Sequence, residues 1–201
     1  GLSADLAPSG VQLLWIVDVY GFLLAGLLIT MGAVGDRIGR RRLLLIGAAA
    51  FGVTSVVAAY ATTPGMLIAA RALLGVAGAT LMPSTMALIR NMFRDPRQMG
   101  GAIGIWFACF MGGMTLGPLV GGALLSHFWW GSAFLLGVPF MALLLAVGPT
   151  LLPEYRDASA GRLDLASVAL SLGAILPVIY GLKEMARDGL AAAPVSTVVA
   201  G

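Results

Sequence analysis

Long apolar stretches separated by short polar segments run along the whole chain. Six of them reach about 20 residues or more, the length that an α-helix needs to cross about 30 Å of hydrocarbon. A seventh begins near Leu190, and the chain ends within it. The pattern predicts an all-α, polytopic transmembrane helix bundle. The six complete predicted spans are Val11–Val34, Leu43–Ala61, Met66–Ile89, Gly101–Leu125, Ala133–Leu152 and Leu163–Leu182.

The composition supports a membrane protein. Hydrophobic residues make up 59% of the chain and charged residues 10%, where soluble domains have roughly 45–50% and about 25%. These values exclude an ordinary soluble enzyme, a disordered chain and a nucleic-acid-binding protein. One cysteine, Cys109, and one histidine, His127, exclude a disulfide framework and a multi-histidine metal site within the chain. We therefore expect neither a metal nor a cofactor.

The basic residues predict the orientation of the spans. The loops after the first, third and fifth spans carry nine arginines, and the loops on the other side carry only Lys183 and Arg187. The positive-inside rule therefore puts the odd-numbered loops in the cytoplasm and residue 1 outside. A chain that starts outside without an initiator methionine and ends within a span is expected to be a fragment of a longer protein. The nine arginines are Arg37, Arg40, Arg41, Arg42, Arg90, Arg94, Arg97, Arg156 and Arg162.

Two ionisable residues lie inside predicted spans, at similar depth in the outer half of the membrane. Asp18 is in the first span and Arg71 is in the third. A charge at the centre of a membrane costs roughly 2.5–3.5 kcal/mol on insertion scales, so such residues usually serve function. We expect the two side chains to pair or to face one water-filled cavity. The alternatives are a carboxylate held in the headgroup region and an arginine that extends to the interface.

Glycines recur in the fourth span and in the first loop. Gly113, Gly117 and Gly121 lie four residues apart and form a smooth helix face for close packing beside Pro118, and Gly122 follows them. The alternative is helix packing without a role in transport. In the first loop, we expect Gly35 and Gly39 to allow unusual backbone geometry and Asp36 to cap a helix or pair with Arg40.

Four motifs resemble the major facilitator superfamily. The first is the loop sequence Gly32-x-x-x-Asp36-Arg37-x-Gly39-Arg40-Arg41. The third span resembles a family motif in Arg71-x-x-x-Gly75-x-x-Gly78, with Leu74 where glutamine is common. The fourth span resembles the antiporter motif in Gly113-x-x-x-Gly117-Pro118-x-x-Gly121-Gly122. The fourth resemblance lies in two segments, Trp15-Ile-Val-Asp18-Val-Tyr20 and Trp130-Gly-Ser-Ala-Phe134 with Val138-Pro139. These segments look like the 14-span drug/proton antiporter branch of QacA type.

The resemblance implies a domain organisation. Residues 1–152 correspond to the N-terminal transporter bundle without its first helix, and residues 153–201 to a linker, one extra span and the start of the next. The remainder of the same transporter is then an expected partner. The resemblance also implies a multi-pass protein of a bacterial inner membrane.

The resemblance further implies alternating access and proton-coupled export of lipophilic cationic drugs, dyes and antiseptics. Asp18 would exchange the proton and attract the cation, and Arg71 would tune neighbouring carboxylates. Separately, the asymmetric arginine loops indicate that Asp36 with Arg40 docks against the opposite bundle and acts as a latch for the outward-open form. Aromatic faces attract organic cations and methionine adapts to varied shapes. The substrate-cavity candidates are Trp15, Tyr20, Met82, Met86, Trp106, Phe110 and Met114, although each residue alone is more often a core or lipid-facing residue.

Three other functions stay open at this point. An exporter of a metabolite or siderophore would keep the loop motif but needs hydrogen-bonding residues in its cavity, and polar residues are sparse in these spans. An intramembrane enzyme would have to use Ser126 and His127, which lie in a loop beside two tryptophans typical of the membrane interface. A non-transporting membrane scaffold would show no transport in vesicles.

Overall fold

The computed structural model describes residues 2–154 together with Gly173 and Pro177, and every element in residues 2–154 is an α-helix. Helices α2 to α5, and α6 with α7 taken together, are long and apolar enough to cross a membrane. The first five predicted spans are therefore confirmed. The seventh predicted span and the rest of the sixth lie outside the described residues. The helices are α1 (Leu2–Leu6), α2 (Gly10–Ile38), α3 (Arg40–Ala59), α4 (Pro64–Met92), α5 (Pro96–His127), α6 (Ser132–Leu135) and α7 (Gly137–Leu151).

Local sequence signals determine where the long helices begin. Ser9 caps α2 in a reciprocal pair of hydrogen bonds with Gln12, which satisfies backbone donors that have no partner within the helix. Thr63 caps α4 and Asp95 caps α5, each followed by a proline at the first helical position. Proline fits there because its missing N–H has no intrahelical acceptor to lose.

Helix α4 lies at the centre of the described bundle. It packs against α2 on one side and α3 on the other, and α7 packs against α3. Small residues allow these close approaches, as expected where helices associate without a hydrophobic driving force from water. At Gly47 on α3, an added Cβ would collide with the Thr80 hydroxyl of α4. That hydroxyl donates to the Ala77 carbonyl at 2.7 Å.

The contact between α2 and α4 depends on the glycines of the third-span motif. A Cβ at Gly75 would lie 2.7 Å from the Tyr20 carbonyl oxygen and 3.0 Å from the Leu23 Cβ. A Cβ at Gly78 would meet the Leu24 Cδ1 at 3.2 Å. The motif therefore brings the backbone of α4 directly against the residues that follow Asp18 on α2.

The turn between α2 and α3 is tighter than the sequence predicts. The pattern predicts a connection over residues 35–42, but the structure leaves only Gly39 between the two helices. Gly39 has φ +109°, which side-chain-bearing residues rarely adopt, so one residue reverses the chain. The expectation of unusual geometry is correct for Gly39 and wrong for Gly35, which lies within helix α2.

Helix α5 lies at the edge of the described bundle. None of its residues is buried within the part of the chain that the structure describes, and its contacts there are with α4 and α6. Pro83 in α4 and Pro118 in α5 both lie inside uninterrupted helices. The fifth predicted span is divided between α6 and α7 at Leu136.

Candidate functional site

Arg71 on α4 joins that helix to the backbone of α2. Its Nε donates to the Ile16 carbonyl at 2.7 Å, and its Nη2 donates to the Val17 carbonyl at 3.1 Å. These carbonyl groups are in the interior of a helix and carry partial negative charge that stabilises the guanidinium. The guanidinium is therefore directed inward against α2 and is only partly exposed.

Two aromatic rings flank the same guanidinium. Its Cζ lies 5.1 Å from the ring centroid of Tyr20 and 6.0 Å from that of Phe134. Both distances fall within the range of cation–π attraction, about 6 Å. Trp130 meets Phe134 edge to face, with ring centroids 6.3 Å apart. The rings of Tyr20 on α2 and Phe134 on α6 thus lie on either helix beside the Arg71 guanidinium of α4.

Asp18 lies beside this arrangement. It is partly buried on α2, directly after the Val17 carbonyl that Arg71 contacts. Its charge interacts favourably with the guanidinium of Arg71. The structure therefore brings together Asp18, Arg71 and Tyr20, three of the residues that the sequence singles out.

Four of the other substrate-cavity candidates form a second group on α4 and α5. Trp106 and Phe110 stack with ring centroids 5.6 Å apart and planes within 2° of parallel. The Trp106 Nε1 donates to the Thr85 hydroxyl at 3.3 Å, which ties the stack to α4. Met82 and Met86 lie near Thr85 in sequence and are partly buried.

Two further candidates stand apart from both groups. Trp15 is 45% exposed and Met114 is 63% exposed, and no described ring contact involves Trp15. Within the described residues, the seven candidates therefore do not form one wall.

The first loop contains two ion pairs. Arg40 binds Asp36 through Nε at 2.9 Å and also through Nη2, which confirms the predicted pairing. Arg41 lies 3.5 Å from the Glu154 carboxylate through Nε, and its backbone N–H donates to the same carboxylate at 3.2 Å. Asp36 does not cap α3. The carboxylate that accepts a backbone N–H in the first turn of that helix, from Arg41, belongs to Glu154.

Arg41 also joins the loop to the end of α7. Its Nη1 donates to the carbonyl groups of Pro149 and Leu152, which lack partners in the last turn of a helix. Arg37 is partly buried at the end of α2. Gly32 lies against Pro83 of α4, where an added Cβ would be 3.9 Å from the proline Cβ.

The glycine motif of the fourth span lies open on α5. An added Cβ at any of its four glycines would meet nothing within 4 Å among the described residues. Close packing along this face stays a prediction. The four glycines are Gly113, Gly117, Gly121 and Gly122, with Pro118 between them.

Comparison with known proteins identifies the family. The sequence profile of the Major Facilitator Superfamily matches residues 1–200. The chain belongs to the major facilitator superfamily. Proteins of this superfamily are membrane transporters, and the apolar helices of this chain are those of an integral membrane protein.

Relatives within the superfamily are drug-resistance transporters. The chain is 52% identical over 200 residues to the multidrug efflux pump LfrA of Mycolicibacterium smegmatis. It is 40% identical over 189 residues to the methyl viologen resistance protein SmvA of Salmonella typhimurium. These alignments cover 100% and 94% of the chain, which spans 40% and 38% of the length of the two relatives.

A solved structure supports the fold. The crystal structure of the peptide transporter POT (E310Q mutant) in complex with sulfate matches 96% of the chain with a TM-score of 0.67. The sequences are 22% identical and the match covers 41% of that transporter. The helical bundle of this chain is thus the fold of a major facilitator protein.

Three residues of the site have roles that the sequence does not reveal. Phe134 is part of a motif, but its contact with Arg71 depends on the position of α6. Glu154 is the first acidic residue after the fifth span, which is the available signal for its pairing with Arg41. Thr85 is a hydroxyl inside an apolar helix, and its bond to Trp106 crosses from α4 to α5.

Proposed function

We propose that the full-length protein exports lipophilic cationic drugs, dyes and antiseptics in exchange for protons, by alternating access. The observation that carries the proposal is the placement of Asp18 beside Arg71 and Tyr20 in the membrane-spanning part of the bundle. A carboxylate at such a position is costly, so its presence usually marks a functional site. The relatives named for multidrug efflux and for resistance to methyl viologen, an organic dication, support the same substrate class.

Competition at Asp18 provides the coupling in this mechanism. A proton neutralises the carboxylate, and a cationic drug that arrives nearby favours its charged form. Each ligand therefore weakens the binding of the other, and this reciprocity links the two flows. The opposite charges of Arg71 and Asp18 attract each other, so Arg71 belongs to the same electrostatic arrangement.

The second group of candidates supplies a soft surface for the apolar part of the drug. The stacked rings of Trp106 and Phe110 offer flat apolar area, and Met82 and Met86 offer flexible thioethers. Trp15 and Met114 are exposed among the described residues, and in this proposal other helices of the full-length protein cover them. The open glycine face of α5 would pack against those helices in the same way.

The Asp36–Arg40 pair is proposed to act as a latch at the cytoplasmic side. Arg40 is 8% exposed, and its Nη1 has no hydrogen-bond partner among the described residues. A buried donor of this kind is costly until an acceptor reaches it. A carboxylate or carbonyl group from the opposite bundle would complete the pair in the outward-open state. In this proposal the protein lies in a bacterial inner membrane, with residue 1 on the non-cytoplasmic side.

The test measures ethidium accumulation in cells that express the full-length transporter and lack their own efflux pumps. We expect wild-type protein to lower accumulation, and a protonophore to abolish the effect. Asp18→Asn should abolish proton-driven efflux, whereas Asp18→Glu, which keeps the ionisable group, should retain part of it. Efflux by Asp18→Asn at the wild-type rate would contradict the role of Asp18.

The accumulation assay, together with transport in reconstituted vesicles, separates drug export from metabolite export and from a scaffold role. Wild-type protein that leaves ethidium accumulation unchanged, although it reaches the membrane in normal amounts, would contradict drug export. Reconstituted vesicles that transport a metabolite or siderophore, but no cation, would then favour a metabolite exporter. Vesicles without transport of either kind would favour a scaffold.

A further inference from the structure

The surroundings of the Arg71 guanidinium are those that an organic cation requires. Two rings, Tyr20 and Phe134, lie at 5.1 and 6.0 Å from its Cζ. The carbonyl groups of Ile16 and Val17 accept its N–H groups. Asp18, the residue after Val17 on α2, attracts the same guanidinium through its charge. Partial negative charge and aromatic faces therefore converge on one point between α2, α4 and α6.

We propose that Tyr20 and Phe134 form a binding site for the cationic group of the substrate, and that Arg71 occupies this site until a substrate displaces it. The proposal rests on the proposed export of lipophilic cations and adds the site and Phe134 to it. Arg71 is thus a tethered competitor whose own charge sets the affinity for the incoming cation.

The contacts of Arg71 favour displacement over permanent attachment. The carbonyl groups of Ile16 and Val17 lie inside helix α2, where each already accepts a bond from its own helix. Neither offers the full charge of a bidentate carboxylate partner. Arg71 also keeps partial exposure, and its side chain is long and flexible. Rotation of that side chain would leave the rings and carbonyl groups in place.

The aromatic side of the site is fixed by packing. Trp130 meets Phe134 edge to face, and both rings pack against the buried cluster that includes Leu67, Ala70 and Leu74. Tyr20 packs against the same cluster, and its backbone is held against α4 by the close approach at Gly75. Rings held in this way lose little conformational freedom when a cation arrives, so the site is pre-organised.

The site selects for weakly hydrated organic cations. Ring faces attract a quaternary ammonium or phosphonium group because its charge is spread over apolar atoms and is easily desolvated. A small metal ion would have to give up water for rings that cannot coordinate it as oxygen ligands do. A neutral drug would gain nothing from the displacement of Arg71.

The experiment is a double-mutant cycle with radiolabelled tetraphenylphosphonium and the purified full-length transporter in detergent. The four proteins are wild type, Arg71→Met, Phe134→Leu and the double variant. We expect Arg71→Met to bind the probe about threefold to tenfold more tightly, and Phe134→Leu to remove most of that gain in the double variant. Phe134→Leu alone should change affinity less than twofold, because Arg71 already occupies the ring.

The matched control is Phe128→Leu. Phe128 lies at the same end of the bundle, is 61% exposed and has no described contact with Arg71. It should leave probe affinity unchanged with methionine or arginine at position 71. If Arg71→Met does not fold, Arg71→Gln replaces it, since glutamine keeps a donor for the Ile16 carbonyl but has no charge.

Three results would overturn the inference. Arg71→Met could bind the probe no more tightly than wild type. The gain in probe affinity caused by Arg71→Met could persist in the double variant, which would show that it arises from long-range charge and does not need the Phe134 ring. Phe134→Leu could weaken binding equally with and without Arg71. Failure of drug export is measured separately, as tetraphenylphosphonium extrusion by cells with wild-type protein, so the two proposals can fail independently.

Discussion

At the scale of single residues, Gly39 shows how backbone geometry and a distant side chain act on one position. Its φ of +109° requires a glycine, and a Cβ there would also collide with the Glu154 carboxylate. Glu154 stays close because it accepts the Arg41 backbone N–H. The sequence reveals the turn, since glycine between two helices is a strong signal. It does not reveal Glu154, which lies 113 residues beyond Arg41.

We expect Gly39→Ala to lower the free energy of unfolding by about 1–3 kcal/mol, the usual cost of a strained backbone. Thermal unfolding of the full-length transporter in detergent would measure the change. Combining it with Glu154→Ala should relieve the collision but not the φ strain, so the double variant stays less stable than Glu154→Ala alone.

The control for this prediction is Gly104→Ala. Gly104 lies in helix α5, with nothing within 4 Å of an added Cβ among the described residues. Alanine there should be neutral or stabilising by up to about 1 kcal/mol, since it reduces the freedom of the unfolded chain. Equal stability of Gly39→Ala and Gly104→Ala would show that the turn tolerates a side chain.

At the scale of helices, the α2–α4 contact makes a sharp distinction between two glycines of one motif. A Cβ at Gly75 meets the backbone of Tyr20, which cannot move without moving α2, whereas a Cβ at Gly78 meets the end of the Leu24 side chain. We therefore expect Gly75→Ala to destabilise the full-length protein by about 1–3 kcal/mol, as overpacking does. Gly78→Ala should cost clearly less.

Thermal unfolding of both variants tests this difference, and drug efflux gives a second measurement. Because Gly75 positions the backbone of Tyr20, its substitution should also reduce efflux more than that of Gly78. Equal melting temperatures for the two variants would contradict the packing argument.

The same helices show which part of the fold can be read from sequence. Hydropathy predicts the first five spans to within a few residues, because each must cover the same hydrocarbon thickness. It misses the polar ends of the helices. Capping residues, with a proline after two of them, start α2, α4 and α5 before the apolar runs begin; they are Ser9, Thr63 and Asp95. It also cannot predict that α4 is central and α5 peripheral, because both have similar apolar length.

The candidate site, too, is only partly predictable from the sequence. The cost of burying charge points to Asp18 and Arg71 without a structure. The acceptors of Arg71 are main-chain carbonyl groups, and every residue has one, so no sequence signal distinguishes Ile16 and Val17. Which ring faces the guanidinium depends on how α6 packs, and this makes Phe134 visible only in three dimensions.

At the scale of the whole transporter, the balance of charge in the proposed exchange determines whether the membrane potential contributes to export. Moving one elementary charge through 100 mV is worth about 2.3 kcal/mol, near a 50-fold concentration ratio. Exchange of one proton for one monovalent cation moves no net charge and responds only to the pH gradient. Asp18 is the one acidic residue well inside the described spans, so a second proton would require a carboxylate elsewhere in the full-length protein.

We expect export to exchange two protons for each drug molecule, whatever the charge of the drug. A monovalent cation such as tetraphenylphosphonium then moves one net charge per cycle, and its transport in proteoliposomes should accelerate when a potassium diffusion potential is imposed. A divalent cation such as methyl viologen moves none, so it should respond to a pH gradient but not to that potential. The divalent cation is thus the internal control, and transport of the monovalent cation that ignores the potential would exclude a count of two protons.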